Sequence, residues 1–165
     1  MIDINETIRA LSANAEAMRA LLQSVPPEQG QWKPGPEIWS LHEVMQHMYN
    51  EERLDFRKHL REMFSDPPQP WGLISEADRQ PVPDLRSALE GFLRERDDSI
   101  AWLRGLQSPD WEIVSQPPWG AIRAGDVLVS WVEHDFLHMR QLIEILYALN
   151  VKLADPYSVQ YAGDW

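Results

Sequence analysis

The chain has 165 residues, 44% of them hydrophobic, and a formal net charge of −11. That length suits one domain spanning 1–165, and such a domain buries roughly 70% of its unfolded surface without outside help. The absence of cysteine excludes disulfides, thiolate metal sites and cysteine nucleophiles, while the acidic balance and the lack of a basic cluster argue against nucleic acid and anionic membranes as partners.

Proline punctuates the chain. All 13 prolines fall outside four long windows, and proline breaks helix interiors because it lacks an N–H and clashes with the preceding turn. The first window places Ile4, Ile8, Leu11, Ala15, Met18, Leu22 and Val25 on one helical face. Its start lacks the basic and apolar pattern of a signal peptide, and no stretch reaches the ~18 apolar residues that span a bilayer. The expectation is a soluble, cytoplasmic protein.

After Pro26, Pro27, Pro34 and Pro36, the second window carries Leu41, Met45, Met48 and Phe56, with Pro36 or Ser40 as its start signal. A loop over 66–83 follows, and Pro83-Asp84 opens a third helix through Leu85, Leu89, Phe92, Ile100, Leu103 and Leu106. The loop over 107–125 holds a short hairpin around Trp111 to Ala124. Asp126 then starts a fourth helix through Val127, Trp131, Leu142 and Ile145. Four amphipathic helices predict an all-α four-helix bundle. Its loops before helices 3 and 4 are long for a bundle and carry Trp71, Trp111 and Trp119.

His134 and His138 lie one turn apart on the apolar stripe of the fourth helix. Buried imidazoles left unpaired cost roughly 1 to 3 kcal/mol. A metal satisfies both, and so do hydrogen bonds from another helix. A third metal ligand has to come from elsewhere, and periodicity leaves His42, His47 and His59 open. His59 lies among Arg57, Lys58 and Arg61 and reads as solvated, and Asp135 reads as a surface or capping residue. Other motifs drop out. No histidine follows a glutamate by three residues, as ferritin-like di-iron sites require. The segment His134 to His138 has Asp where a metalloprotease has its Glu base.

Trp39 to Met48, WSLHEVMQHM, resembles the second helix of the DinB/YfiT-like superfamily. Trp131 to Gln141, WVEHDFLHMRQ, is similar to that family's fourth-helix motif, H-x-x-x-H followed shortly by glutamine. The resemblance covers nearly the whole chain. It implies a bundle of up-down-down-up topology and one divalent metal, zinc or nickel, on His47, His134 and His138, which selects His47 over His42. Relatives include transferases and isomerases dependent on bacillithiol, mycothiol or a similar low-molecular-weight thiol, and they often form homodimers.

Three neutral imidazoles leave a coordination position open, as catalytic zinc sites do. The expectation is therefore a metal-dependent thiol S-transferase acting on an electrophilic small molecule, with the sulfur supplied from outside because the chain has none to offer as a thiol. Metal-assisted hydrolysis and a non-catalytic, metal-stabilised binding module are the competing readings. Glu51, one turn after His47, and Gln141, one turn after His138, are positioned to orient ligands or a bound water. The bland reading makes Glu51 and Glu52 solvated carboxylates. Trp71, Trp119 and Trp131 are the pocket-lining candidates.

Overall fold

The computed structural model describes residues 3–163. Its helices are α1 (Ile4–Leu22), α2 (Pro27–Gly30), α3 (Leu41–Leu54), α4 (Phe56–Met63), α5 (Leu85–Gly105) and α6 (Ala124–Leu153). A two-stranded antiparallel hairpin, β1 (Val114–Ser115) with β2 (Ile122–Arg123), sits where the 107–125 loop was expected to turn.

The helix starts follow from local chemistry. Asp3 caps α1 by accepting from the N–H groups of Asn5 and Glu6. Ser40 and Glu43 form a reciprocal capping box at α3, satisfying two otherwise orphaned donors. Asp84 caps α5 by accepting from the N–H of Ser87. At α6 the helix begins two residues before the expected Asp126. The Asp126 carboxylate reaches back to the N–H of Arg123 at 3.0 Å, so it acts from inside the first turn rather than ahead of it. The second window is divided: Asp55 leaves helical geometry (φ −112°, ψ −95°) and separates α3 from α4.

Cross-helix contacts fix the directions. Arg96 of α5 meets the carbonyl of Leu11, while Leu85 at the start of α5 lines one crevice with Leu22 at the end of α1, so α1 and α5 run antiparallel. Tyr49, Glu52 and Arg57 meet Gly91, Arg96 and Ser99 respectively, so α3–α4 and α5 run parallel. His47 meets His138 and Glu52 meets Trp131, so α3 and α6 run antiparallel. The result is an up-down-down-up four-helix bundle, and the long 66–83 connection is what carries the chain back to start α5 in the same direction as α3. Gly91 permits the close parallel pair, since a Cβ there would stand 3.0 Å from the Tyr49 ring.

The core has two apolar lobes. One gathers Met18, Leu41, Met45, Phe92 and Leu142, and the other Leu11, Leu60, Leu103, Leu128 and Trp131. Between them lies a buried polar layer. Arg96 donates to both oxygens of Glu52, both oxygens of Asp135 and the carbonyl of Leu11, at 2.8 to 2.9 Å. Trp131 Nε1–H donates to Glu52, and the Asn14 amide donates to Asp135. Asp135 is therefore no surface or capping residue, and Glu52 is no solvated carboxylate; they are 0% and 2% exposed. The paired negative charge of these carboxylates outweighs burial and holds the Arg96 guanidinium protonated, while burial pushes the Asp135 carboxyl up against the opposing pull of Arg96.

Candidate metal centre

The antiparallel crossing of α3 and α6 sets His47 opposite His134 and His138. Ring centroids are 5.2 Å apart for His47–His134, 4.6 Å for His47–His138 and 4.4 Å for His134–His138. Nitrogens from all three lie within 4.8 Å of one another, and the Nε2 atoms of His47 and His134 are 3.2 Å apart. Two nitrogens bound at 2.0–2.1 Å to a tetrahedral ion stand about 3.3 Å apart, so the pair has the spacing of a shared ligand.

The outward nitrogens are held from behind. His138 Nδ1 donates to Gln141 Oε1 at 2.9 Å, which fixes the tautomer with a bare Nε2. His47 Nδ1 faces Glu51 Oε1 at 3.5 Å, an ion-pair separation. Burial, reinforced by the neighbouring His138 and Arg79, lowers His47 to about 4. Burial, with His138, His47 and Arg96, lowers His134 to about 3. His138 is lowered by burial against the favourable pull of Gln141 and Asp135. All three imidazoles are thus neutral at pH 7, the state a metal ligand requires. The expectation that Glu51 is solvated does not hold: it is 8% exposed. Burial first, then a hydrogen bond that the protonated carboxyl donates to Asp55 and repulsion by that same residue, raise Glu51 to about 7, with Arg79 opposing.

Two cavities open on the triad. One, of about 300 Å³, lies on the His47 side among Trp39, Gln46, Asn50, Arg79 and Pro81. The other, of about 360 Å³, lies on the His138 side among Ile38, Trp39 and Gln141. Trp39 borders both, its ring parallel to His138 at 6.4 Å and tilted against His47 at 5.3 Å. The sequence reading missed Trp39 as a site residue, although its place immediately before the Ser40 cap put it one helix start away from His47. Arg79 was missed because it lies in a loop with no periodicity.

The remaining candidates lie elsewhere. His42 accepts or donates at both ring nitrogens, to Gln31 at 2.8 Å and the Val82 carbonyl at 3.1 Å, tying α3 to the segments around it. His59 is not solvated but 2% exposed, held between Asp55 and Glu62 and stacked on Trp71 at 3.7 Å. Trp71 packs edge-on against Trp119, and that pair covers His59 rather than the triad. Trp131 is a wholly buried core residue and does not line either cavity. Phe56 links it to the triad, stacking on Trp131 at 5.5 Å and touching His134 at 5.2 Å.

With bundle and triad in view, the class is defined by homology as well as geometry: a sequence profile of the DinB superfamily matches residues 10–142, and the chain belongs to that superfamily. Its fold is similar to that of YfiT from Bacillus subtilis, described as "a probable metal-dependent hydrolase with an unusual four-helix bundle topology", with a TM-score of 0.70 over 91% of each chain at 13% identity. No curated protein matches the chain. Among the described residues, no helix is long and apolar enough to cross a membrane.

Proposed function

We propose that His47, His134 and His138 hold one divalent metal ion, zinc or nickel, and that the protein is a metal-dependent enzyme joining a low-molecular-weight thiol to an electrophilic small molecule. The observation that carries this reading is the convergence of three neutral imidazoles, with a 3.2 Å Nε2 separation between His47 and His134, where His47 lines one cavity and His138 another. A divalent ion in that position supplies Lewis acidity and lowers the pKa of a bound nucleophile.

The chain's own residues do the rest. Gln141 holds the Nδ1 proton of His138, so its Nε2 stays turned inward. Glu51 stands behind His47 and steadies its ring. Trp39 presents an apolar wall to whatever occupies either cavity. A cavity on each side of the triad, one bordered by His47 and one by His138, suits two reactants. In the overall change the thiol S–H and the electrophile's bond to its leaving group break, a carbon–sulfur bond forms, and the leaving group departs with the proton.

The description of YfiT favours a second reading, hydrolysis of a small substrate, in which water replaces the thiol. The test is metal content of tag-free protein followed by assay of electrophile consumption with and without added thiol. Near one metal per chain, lost in His47→Ala, His134→Ala and His138→Ala, is expected, with turnover that requires thiol. Thiol-independent turnover would transfer the assignment to hydrolysis, and a protein that takes up no metal would refute both.

A further inference from the structure

We infer that Arg79 is the anion-binding group of this site, and that the substrate class is small molecules bearing a carboxylate or phosphate within a few ångströms of the reacting atom. The inference deepens the reading above and rests on it only for where the reacting atom lies.

Arg79 follows the single 3₁₀ turn Glu76–Asp78 in the long loop and lines the same cavity as His47. Its Nε is buried and makes no hydrogen bond. Its acidic neighbours stop short: Glu51 at 3.6 Å and Glu76 at 3.8 Å are within ion-pair range but beyond good hydrogen bonds, and the Glu76 side chain is 93% exposed. Other arginines near the core behave differently. Arg96 uses every N–H on Glu52, Asp135 and Leu11, and Arg57 donates to Glu95 and Ser99. Arg53 Nε is also unpartnered, but its guanidinium lies over the Tyr49 ring and donates to the Asp78 carbonyl, which braces the turn that carries Arg79.

The rest of the cavity wall combines two amides with two carboxylates, Glu43 and the largely exposed Glu76. Gln46 Oε1 accepts from the Val82 N–H, leaving its NH₂ group to give. Asn50 Oδ1 faces Arg53, leaving its NH₂ likewise. The acidic wall residue Glu43 is already neutralised, accepting from Lys33 and from the Ser40 N–H at 2.7 Å each. A planar guanidinium whose edge makes only long ion pairs, sharing its cavity with two amide donors, matches the fork of a carboxylate or phosphate. With the reacting end at the triad, such a group is what the His47-side cavity would recognise.

The experiment follows the Arg79 Nε–H NMR signal of the full chain, assigned by its absence in Arg79→Gln, during titration with succinate, inorganic phosphate and neutral succinamide. It is run on metal-free and metal-loaded protein with metal content measured throughout. Saturable movement of that signal by an anion and not by succinamide is expected, and the responding anion tells carboxylate from phosphate. Read in every variant from the Trp39 indole N–H signal on the same cavity wall, Arg79→Gln should weaken anion binding about 10- to 100-fold at unchanged metal content, and Arg79→Lys should fall between. A wild-type signal unmoved by either anion, or Arg79→Gln binding as tightly as wild type, overturns the inference while metal uptake leaves the functional reading standing. Anion binding at Arg79 in a protein that takes no metal does the reverse.

Discussion

Two polar clusters share α3 and α6, Asp135 of one adjoining His134 of the other, and they are built in opposite ways. Around Arg96, all five guanidinium N–H groups reach Glu52, Asp135 or a carbonyl, and both carboxylates receive a further donor from Trp131 or Asn14. Around His47, the inward nitrogens face only one another. A buried cluster whose bonds are all made within the chain is part of the fold. One whose ring nitrogens converge on one another has the geometry that the proposed metal would use. The contrast separates structural polarity from functional polarity where residue type and burial alone do not, since both clusters sit on the same helices.

The largest effect that can test the contrast is on stability. Arg96→Leu leaves Glu52 and Asp135 buried without a counter-charge, which costs about 3–5 kcal/mol. That is a large share of the ~5–15 kcal/mol typical of a domain, and urea unfolding would report it as a lowered midpoint. His134→Ala should abolish metal uptake yet shift the metal-free midpoint far less. Equal losses in the two variants would erase the distinction.

Acid is the next lever, and its sign follows from the pKa values. His47 at about 4 and His134 at about 3 stay neutral in the fold, whereas an unfolded histidine takes a proton near 6.5. Between those values the unfolded chain binds more protons, so metal-free stability is full above about pH 6.5 and falls as pH drops toward 3. Each excluded proton contributes a slope of up to about 1.4 kcal/mol per pH unit. Glu51, raised to about 7, opposes this between its unfolded value of 4.5 and 7, because there the fold binds the extra proton; Asp135, also raised, opposes it at lower pH. Glu51→Gln should therefore steepen the loss between pH 6.5 and 4.5, measured by urea midpoints across that range. An unchanged slope would mean that Glu51 titrates normally.

Much of the fold was legible because its determinants are local. Proline placement bounded the four helical segments, Ser40 and Asp84 announced helix starts, and the spacing of His134 and His138 put two imidazoles on one face. The third histidine was not legible from periodicity. His42, His47 and His59 share a segment, and only the crossing of α3 with α6 decides which of them meets the other two. Glu51 and His59 are buried beside partners within four residues on their own segment. Asp135 and Glu52 were misread for one shared reason. A charged residue on a helix reads as solvated until its partner is known, and Arg96 lies 44 and 39 residues away in sequence from the carboxylates it pairs with. Trp39 and Arg79 enter the site from a helix start and a loop, where no repeat marks them.

A finer test compares how each cluster is supported from behind. Gln141→Leu removes the acceptor for His138 Nδ1 without touching the inward nitrogens. Metal affinity should drop about 10- to 100-fold, with the metal-free unfolding midpoint little changed; competition with a chelator of known affinity reads the first and urea the second. An unchanged affinity would make Gln141 incidental.

The smallest predicted effect asks whether the two clusters are independent at all. Trp131→Phe keeps an aromatic ring in the core and removes the Nε1–H that donates to Glu52 Oε2 at 2.8 Å. That oxygen retains its bond from Arg96 at 2.9 Å, so the cost should be about 1–2 kcal/mol, below that of Arg96→Leu. Trp131 also stacks on Phe56, which touches His134. This aromatic chain is one path by which a disturbance of the Arg96 layer would reach the triad, beside the peptide bond that joins Asp135 to His134. Preserving the ring should preserve the path's packing, and metal affinity should change by less than about threefold, under 1 kcal/mol. A parallel drop in stability and metal affinity would show that the Glu52 hydrogen bond sets the placement of His134, and the polar layer would then count as part of the metal site.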